Sequence, residues 1–529
     1  AGEMRRRLAL ERAVAELADG PDGPAKQIYG RTDAQPGVLD AALELVDEYR
    51  AERIEMGDPF RTAGEDEDNG PDDGSIAEIR RGIEPLVERF QRDLGESGLT
   101  DLPMVADRAI AKAVEVFKGD RDWQDRPVFV AGFDDLTGQQ LELLRKLSNE
   151  AEVEVQMVVT WDEELKRGFL TDRLKSRLTD RVGITSEDPR EAGGGSSGLA
   201  LSALADALIG ARRRASLNEN PLVTLIRAAG ERREAEVIGA EIARLLAEGE
   251  ALPDQIAVAH TDPGSSGRLL EGILRRYGIP ATLETETGAL ATSVGASLAA
   301  LLRAAGPEGT AADLLIWLRG PLGPTQEDTD AFEAECRREG IGTAREAFEK
   351  LPSKYRGEWS ALFAEGGDRG TAALDLTAGL ARAAGRRILE DAVRDSDGPD
   401  RPGPEVEIEV RMAEALAEAA RDLAVGDTGR RSGAALMLEA IRRGDISVWT
   451  VPTQGTVRIA GLWALRAKRV RYLVVAGLQE GGTRDLSRAG PFLSTAERRG
   501  LEMLERVDPE VQSRYLLFSC LNVPTEGIW

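Results

Sequence analysis

Two adjacent carboxylates, Asp134 and Asp135, follow an apolar run in the stretch RPVFVAGFDDLTGQQLELLRKL. Carboxylates at the end of a strand can hold Mg²⁺ and activate a water molecule, which is the chemistry of nucleotide hydrolysis. The run itself ends in Ala131 and Gly132, which can neither bind a metal nor accept a proton. We expect Asp134 and Asp135 to begin the following helix, where carboxylates suit the positive end of the helix dipole.

The elements around this stretch have a β-α-β pattern. RPVFVAGF is a short apolar run typical of a buried strand, LTGQQLELLRKLSNEA is helical, and EVEVQMVVTW is a second strand. Two strands joined by a helix imply a parallel sheet. Residues upstream, such as QPGVLDAALELVDEYRAERI and SIAEIRRGIEPLVERFQRDL, have helical spacing, so the first 120 residues are predicted to be mainly helical.

The same alternation returns further along the chain. Strands LVTLIRAAG, QIAVAHT and PATLE alternate with helices ERREAEVIGAEIARLLAEG, SGRLLEGILRRYG and VGASLAALLRAAG, which predicts a second α/β domain. The sequence from Thr310 to about Gly444 is almost wholly helical. Strands SVWTVP, TVRIAGL, RYLVVAGL and YLLFSCL follow, with helix STAERRGLEMLERV among them. We therefore expect a helical insertion that splits the second α/β domain.

Three polar segments interrupt these patterns. Thr62–Ser75 is acidic and rich in Gly and Pro, and Ser186–Gly198 is rich in Gly and Ser, so both are predicted to be linkers. Arg394–Glu405 is predicted to break a helical region.

Composition excludes several classes of protein. The 529 residues carry a net charge of −25, with 93 acidic and 68 basic residues, which argues against a uniformly basic surface for nucleic acid but leaves room for a local arginine-lined groove. No apolar run is long enough to cross a bilayer. Cys336 and Cys520 are the two cysteines and His260 is the one histidine, so a disulfide framework, a zinc site and a Cys-His nucleophile are not expected. We predict a cytoplasmic location, and interpret the sequence as part of a longer protein.

Three stretches carry a resemblance to a known family. ERREAEVIGAEIARLLAEGEALPDQIAVAHTDPGSSGRLLEGILRRYGIPATLE resembles the opening of the second RecA-like domain of superfamily 1A helicases of the UvrD and RecB type. TVRIAGLWALRAKRVRYLVVAGLQEGGTRDLSRAGPFLSTAERRGLE is similar to their fifth motif, and SRYLLFSCLNVPTE to their sixth. The phrase VAGL, followed by EGG and PFLSTAERR, is most like AddB and RecC, in which the helicase scaffold is partly or wholly inactivated.

The sequence departs from the active members at the positions that matter for ATP hydrolysis. Ala131 and Gly132 stand where active members have the Asp-Glu pair, and Thr261 stands where they have an arginine for the γ-phosphate. The fifth motif keeps Gly461 and little else, and the sixth has Val523 at the arginine-finger position. The phosphate-binding pattern GxxxxGK[ST] is absent from the sequence. The resemblance thus implies an inactivated ATPase with no catalytic residue, metal site or cofactor in this chain; ATP and Mg²⁺ would need an upstream P-loop or a partner subunit.

The resemblance also implies a domain organisation and a fold class. The fold would be α/β, with RecA-like (P-loop NTPase-type) parallel-sheet domains and large helical insertions, as in superfamily 1 helicases. The expected regions are 1–120 (helical, 1B-like), 121–198 (part of the first RecA-like domain with a linker), 199–305 (second RecA-like domain, first part), 306–445 (helical, 2B-like) and 446–529 (second RecA-like domain, second part).

Contacts with DNA are harder to place. Trp161 ends a strand near where related motors stack bases, although a tryptophan of the core or of a domain interface is the commoner case. Arg466, Lys468, Arg469 and Arg471 form a basic cluster beside the fifth motif that could meet phosphates, and a solvated turn explains it equally well.

The favoured hypothesis is a scaffold subunit of an AddB/RecC-type helicase-nuclease complex for double-strand break repair. The partners implied are single-stranded or duplex DNA ends and a RecB/AddA-like motor-nuclease subunit, with no membrane. One alternative is the DNA-delivery region of a longer PD-(D/E)xK exonuclease, and another is a pure protein-interaction module. The nearest nuclease-like pattern, with Asp400, Glu407, Glu409 and Arg411, is too short in spacing and is better explained as a solvated helix start, so a nuclease would lie beyond Trp529.

Overall fold

The computed structural model describes most of the chain. The described residues are 2–19, 36–52, 73–119, 126–158, 170–183, 223–364, 370–395, 403–425, 431–465, 468–478, 492–501, 503, 509–521 and 523–529.

The described residues form both α-helices and β-strands. The helices are α1 (Glu3–Asp19), α2 (Pro36–Ala51), α3 (Asp73–Glu96), α4 (Leu102–Gly119), α5 (Gly138–Arg145), α6 (Leu170–Arg177), α7 (Glu231–Ala247), α8 (Ser266–Arg276), α9 (Ser293–Ala305), α10 (Ala311–Leu318), α11 (Gln326–Glu339), α12 (Ala344–Lys350), α13 (Gly370–Asp395), α14 (Pro404–Ala424), α15 (Gly433–Arg443), α16 (Thr495–Gly500) and α17 (Pro509–Leu521). The strands are β1 (Val128–Ala131), β2 (Val155–Val158), β3 (Ile256–His260), β4 (Ala281–Leu283), β5 (Glu286–Gly288), β6 (Ser447–Trp449), β7 (Val457–Gly461), β8 (Val470–Ala476) and β9 (Pro524–Ile528).

The chain divides into two compact units. The first, called the helical unit here, contains Ala1–Pro21, Glu88–Asp101 and Glu286–Thr450. The second, called the sheet unit, contains Asp22–Val87, Leu102–Thr285 and Val451–Trp529.

A five-stranded parallel sheet organises the sheet unit, in the order β4-β7-β3-β8-β9. Strand β3 is buried along its whole length, as its continuous apolar sequence Ile-Ala-Val-Ala predicts for a central parallel strand. Helices α7 and α8 cover one face of the sheet, and α17 covers the other. The sheet with helices on both faces confirms the α/β class predicted from the alternating pattern.

The β-α-β unit around Asp134 forms as predicted, but its first strand is not buried. Strands β1 and β2 pair in parallel, and α5 and α6 pack against one face through Leu141, Leu144 and Leu174. On the other face the Phe129 side chain is 68% exposed, because consecutive strand residues point to opposite faces and none of the described elements covers this one.

The helical unit is a bundle of helices around its own core. Helix α9 lies at the centre of this core, and nine of its thirteen residues are buried. Helices α13 and α14 pack side by side as an antiparallel pair, and a cluster of aromatic rings, Trp317, Trp359, Phe348 and Phe363, fills one end. A two-stranded antiparallel ribbon of β5 and β6 joins the two points where the chain enters and leaves the helices. The helical segment expected from about Thr310 to Gly444 is confirmed.

Several expectations about local structure were wrong. YLLFSCL is the last part of α17 and not a strand, and the strand that follows it is β9. LVTLIRAAG contributes one parallel bridge, Val223 to Ile528, in its described part. Helix α3 begins at Asp73, inside the expected linker Thr62–Ser75, whose other residues lie outside the described ones.

The remaining expected linkers have mixed outcomes. Ser186–Gly198 lies outside the described residues, and the expected break near Arg394–Glu405 is found between the end of α13 and the start of α14. No helix in the described part of the chain combines the length and the apolar character needed to cross a membrane.

Candidate functional site

The carboxyl ends of β3, β7 and β8 meet at one edge of the five-stranded sheet. In the register of the strands, His260 lies opposite Gly461 on one side and opposite Ala476 on the other. The chain leaves β3 toward β4 and leaves β8 toward β9, so the two connections run in opposite directions. Such a switch point at the carboxyl edge of a parallel sheet is where α/β proteins commonly bind ligands.

A direct contact between β3 and β8 occupies this switch point. The Thr261 hydroxyl donates a hydrogen bond to the Gly477 carbonyl oxygen, 2.9 Å away, and the Thr261 amide donates to the Ala476 carbonyl. Gly477 has a φ of +77°, and a Cβ built on it would lie 2.3 Å from the Thr261 Oγ1 atom. Only glycine fits here, because any side chain would collide with Thr261 and would also need the left-handed conformation.

Glu234 completes the contact from the first turn of α7. Its Oε1 atom accepts a hydrogen bond of 2.9 Å from the Gly477 amide. Helix α7 begins at Glu231, and its amino end lies at the carboxyl edge of the sheet, where Glu234 meets Gly477. Acidic residues suit this position, because the amino end of a helix is the positive end of its dipole. The basic residues of the same turn, Arg232 and Arg233, are 72% and 64% exposed and pair with Glu236.

His260 is a packed turn residue in this arrangement. Its side chain is buried, and its Nδ1 atom accepts a hydrogen bond of 3.0 Å from the Asp262 amide. Burial lowers the pKa of His260 below its ordinary value, and the nearby carboxylates Glu234, Asp262 and Glu231 act in the opposite direction. The hydrogen bond from the Asp262 amide uses the lone pair of Nδ1.

The described charged groups that act on His260 at the carboxyl edge are carboxylates. Position 261 holds a hydroxyl that is used in a hydrogen bond within the protein. Within the described residues, no group of three or more His, Cys, Asp or Glu side chains could hold a metal ion.

The structure separates Val523 from the other degenerate motif positions. Val523 is buried just before β9, and its carbonyl accepts a hydrogen bond of 3.3 Å from the Val470 amide, at the amino end of β8. Thr261 and Gly461 lie at the carboxyl end of the same sheet. The distance between the two edges is about the length of β8, roughly 20 Å for seven residues.

The basic cluster lies at this amino edge together with Val523. Lys468 and Arg469 are exposed, and Arg471 is half-buried with its guanidinium carbon 5.8 Å from the centre of the Tyr472 ring. The structure therefore brings three of the four predicted basic residues together, but away from Thr261. Arg466 and Trp161 lie outside the described residues.

Ala131 and Gly132 end β1, as the motif frame predicts. Ala131 is exposed, and Gly132 has a φ of +83°, so a glutamate at position 132 would need the left-handed conformation. The neighbouring acids do not begin the next helix, which was expected. Helix α5 starts at Gly138 and is capped by the Thr137 hydroxyl and by Gln140, because a threonine three residues before a glutamine forms a capping box.

The two acids have structural partners instead. Asp134 accepts a hydrogen bond from the Tyr515 hydroxyl of α17. Asp135 accepts from the Leu136 amide at 2.8 Å and lies 3.4 Å from the Arg177 guanidinium.

A buried ion pair behind these acids escaped prediction from sequence. The Arg177 guanidinium donates to the Glu52 carboxylate at 2.6 Å and to the Leu136 carbonyl at 2.6 Å, and the same Glu52 oxygen accepts from the Gly138 amide at 3.1 Å. Arg177 and Glu52 are 125 residues apart in sequence, and no local pattern links them. Glu234 and Gly477 were missed for the same reason, although a glycine directly after the apolar run RYLVVA is a weak signal of a special backbone position.

The nuclease-like segment also has structural roles. Both oxygens of Glu409 accept hydrogen bonds from the first amides of α9, Ser293 at 2.6 Å and Val294 at 3.0 Å. Arg411 donates to the Trp449 carbonyl at 2.6 Å. Glu407 is exposed in the first turn of α14, and Asp400 lies outside the described residues. The segment begins a helix, as expected, but Glu409 and Arg411 make contacts within the protein and are not simply solvated.

Comparison with known proteins adds no family assignment. No protein-family model matches the sequence, and no curated protein matches it. The AddB/RecC resemblance therefore stays a hypothesis that is based on the sequence motifs.

Proposed function

We propose that this chain is a helicase-like scaffold that does not hydrolyse ATP and belongs to an AddB/RecC-type helicase-nuclease complex. In this proposal its α/β elements are RecA-like domains, and it binds DNA ends during the repair of double-strand breaks. A RecB/AddA-like motor subunit supplies ATP hydrolysis.

The contact between Thr261 and Gly477 is the observation that carries the proposal. A motor ATPase needs a cation near this edge to neutralise charge that develops on the γ-phosphate. Here a hydroxyl and a glycine backbone fill the switch point, and Glu234 binds the same glycine. A side chain that reached toward a phosphate would have to break this contact first. The arrangement supports the proposal that the sheet has a structural role in this chain.

The end of β1 supports the same proposal independently. Mg²⁺ coordination and water activation would require acids at positions 131 and 132, and the positive φ of Gly132 disfavours one there. The acids that remain nearby, Asp134 and Asp135, are used by Tyr515 and Arg177. Asp134 and Asp135, which have the residue types of catalytic acids, therefore stabilise the β-α-β unit.

Lys468 and Arg469 are the favoured contacts for DNA. Both are exposed at the amino edge of the sheet, and exposed cations on neighbouring residues can neutralise successive phosphates. The overall charge of −25 makes a local patch of this kind necessary for any binding of nucleic acid.

Two measurements on the purified chain test the proposal. The first is ATP turnover with and without single-stranded DNA, for which we expect none; sustained turnover would refute the inactive scaffold. The second is binding to a forked DNA at a series of salt concentrations, for which we expect affinity that falls steeply as salt rises.

The DNA contacts are tested by charge reversal. We expect the double variant Lys468→Glu, Arg469→Glu to lower the slope of log K against log salt by about 2, or one per phosphate contact. Arg276→Glu is the matched control, since Arg276 is exposed on α8 of the same unit. An equal loss of DNA affinity in the double variant and in Arg276→Glu would indicate a general charge effect. If the original chain has no affinity for DNA at low salt, only contacts with other proteins remain as its function.

A further inference from the structure

Strand β1 has a free edge on the side away from β2. In the described part of the chain these two strands alone make up their sheet, and they pair in parallel. The Val128 amide donates a hydrogen bond of 2.8 Å to the Glu154 carbonyl, just before β2. Because backbone groups alternate between the two sides of a strand, the amides and carbonyls of Phe129 and Ala131 point away from β2. These two residues therefore present donors and acceptors at the free edge.

The sequence of β1 has none of the features that protect the edge of a sheet. Natural edge strands carry charges, prolines or bulges, because unpaired backbone groups are a template for another strand. β1 reads Val-Phe-Val-Ala and pairs with β2 without a shift in register. β2 differs, since Glu154 precedes it and Gln156 lies within it, and both are exposed. The free edge of β1 is therefore the one that suits a further strand.

Side chains on both faces of β1 are apolar. Val130 packs against the core formed with α5 and α6, and Phe129 on the opposite face is 68% exposed. Apolar side chains on both faces are typical of a strand in the interior of a parallel sheet. β1 thus has the composition of an interior strand but the position of an edge strand.

An extended strand is the occupant that this edge specifies. Phe129 and Ala131 present their backbone groups about 6.6 Å apart, which is the spacing of alternate residues in a strand. A helix cannot meet these groups, because its own backbone groups are bonded internally. A second copy of the chain is disfavoured, since each copy carries a net charge of −25 and the two would repel each other.

We propose that β1 accepts an extended, uncharged strand of another protein at its free edge. The added strand forms hydrogen bonds with the backbone of Phe129 and Ala131. Its side chains lie beside Phe129 on one face and beside Val130 on the other, and uncharged residues suit both faces because those of β1 are apolar. This inference concerns a different surface from the DNA contacts and does not depend on the proposed function.

A labelled peptide tests the proposal with the whole chain. It has seven uncharged residues, with valine and threonine alternating. A control peptide has the same sequence with N-methyl groups on consecutive residues, which removes amide donors on both of its edges. Fluorescence anisotropy gives the two affinities, and we expect the N-methylated peptide to bind at least tenfold more weakly.

Two substitutions at equally exposed positions separate the edge of β1 from the apolar face of the sheet. Phe129 and Val158 are each 68% exposed on the same face, but Val158 lies on β2, away from the free edge. We expect Phe129→Lys to weaken binding of the unmethylated peptide at least tenfold, because a charge on an edge strand opposes pairing. Val158→Lys is the matched control and should leave binding unchanged. Neither variant should change thermal unfolding, since both side chains are mostly exposed.

A third substitution tests the backbone of the edge directly. Ala131→Pro removes an amide that points away from β2, so pairing with β2 is kept while a donor for the added strand is lost. We expect this variant to bind the unmethylated peptide at least tenfold more weakly. Ala131→Ser keeps the amide at the same exposed position and should bind the peptide as the original chain does.

Other outcomes would overturn the proposal. Equal losses in Phe129→Lys and Val158→Lys would assign binding to the apolar face and not to the edge. Equal affinity for the two peptides, or no binding of the unmethylated one, would exclude backbone pairing. A dimer in sedimentation that is lost in Ala131→Pro would assign the edge to a second copy.

Discussion

The Thr261 hydroxyl donates a hydrogen bond to the Gly477 carbonyl, which joins residues 216 positions apart at the switch point of the sheet. The bond fills the place where an α/β protein usually receives its ligand. Because the two backbones meet here directly, the contact ties the end of β3 to the end of β8.

Gly477→Ala tests how tightly this contact is packed. The new Cβ would lie 2.3 Å from Thr261 Oγ1 and would occupy a left-handed conformation, so we expect a loss of about 2–3 kcal/mol in the free energy of unfolding. Urea denaturation of the purified chain measures it. In a Thr261→Ala background the collision is removed and the loss should fall to about 1 kcal/mol. Equal losses in the two backgrounds would show that Thr261 does not limit the space.

His260 should make the protein less stable in mild acid. Burial lowers the pKa of the folded state below the ordinary 6.5, so the unfolded chain takes up a proton first as pH falls. The stability contribution is complete above pH 6.5 and is lost as pH falls from 6.5 toward the lower pKa of the folded state. Urea denaturation at pH 7.5 and 5.5 should show a smaller pH effect in His260→Gln than in the original protein.

The imidazole signal provides a direct check of this pH effect. His260 is the one histidine, so its ring protons can be assigned in an NMR titration without ambiguity. A midpoint at or above 6.5 in the folded protein would contradict the expectation.

Introducing an acidic pair at the end of β1 should not produce ATP hydrolysis. We expect Ala131→Asp to be nearly neutral for stability, because Ala131 is exposed, and Gly132→Glu to cost about 1–2 kcal/mol, because position 132 has a φ of +83°. Thermal unfolding and an ATPase assay of the two single variants and the double variant measure both effects. ATP turnover in the double variant would mean that the remaining motif positions are competent.

Loss of Arg177 should be among the most damaging single changes in the sheet unit. Arg177→Met leaves the buried Glu52 carboxylate without its guanidinium partner, and removing one member of a buried pair costs about 3–5 kcal/mol. Adding Glu52→Gln to the same protein should recover part of this loss, which urea denaturation can measure. If the loss of unfolding free energy in the double variant equals the sum of the losses in the two single variants, the two side chains are not coupled.

Glu152 offers a stabilising change. It has a φ of +58°, which is rare for a residue with a side chain, and it is exposed between a π-helical turn and β2. Glu152→Asn should raise the free energy of unfolding by about 0.5–1 kcal/mol, because asparagine tolerates this conformation better. Glu154→Asn, two residues away and also exposed, is the matched control, and an equal gain there would rule out the backbone as the cause.

Sequence patterns predicted the sheet well where periodicity and alternation were strong. Strands β3, β4, β7 and β8 and helices α7 and α8 were all expected, because apolar runs alternate with amphipathic helices. YLLFSCL was misassigned because α17 packs on the sheet through Leu516 and Cys520, and a helix with apolar residues on several sides resembles a buried strand over seven residues.

The site itself was predictable only in part. The frame of the motif placed Ala131, Thr261 and Gly461 at strand ends, which is where the structure has them. The contacts of Thr261, Asp134 and Glu52 join distant parts of the chain and leave no local signal. The basic cluster was expected beside the fifth motif. In space it lies at the opposite edge of the sheet, because the chain returns to the amino edge between the end of β7 and the start of β8.

The ribbon of β5 and β6 has a consequence for how the chain folds. His260 and Gly461 pair across about 200 residues, a long loop for an unfolded chain to close. Glu286 pairs with Trp449, so the ribbon brings together the chain ends that lead to β4 and β7. Once the ribbon has formed, fewer than about 40 flexible residues separate β3 from β7. The free-energy cost of closing the loop between these strands then falls by roughly 1.5 kcal/mol. A helical segment that assembles before the sheet thus shortens the loop that β3 and β7 must close.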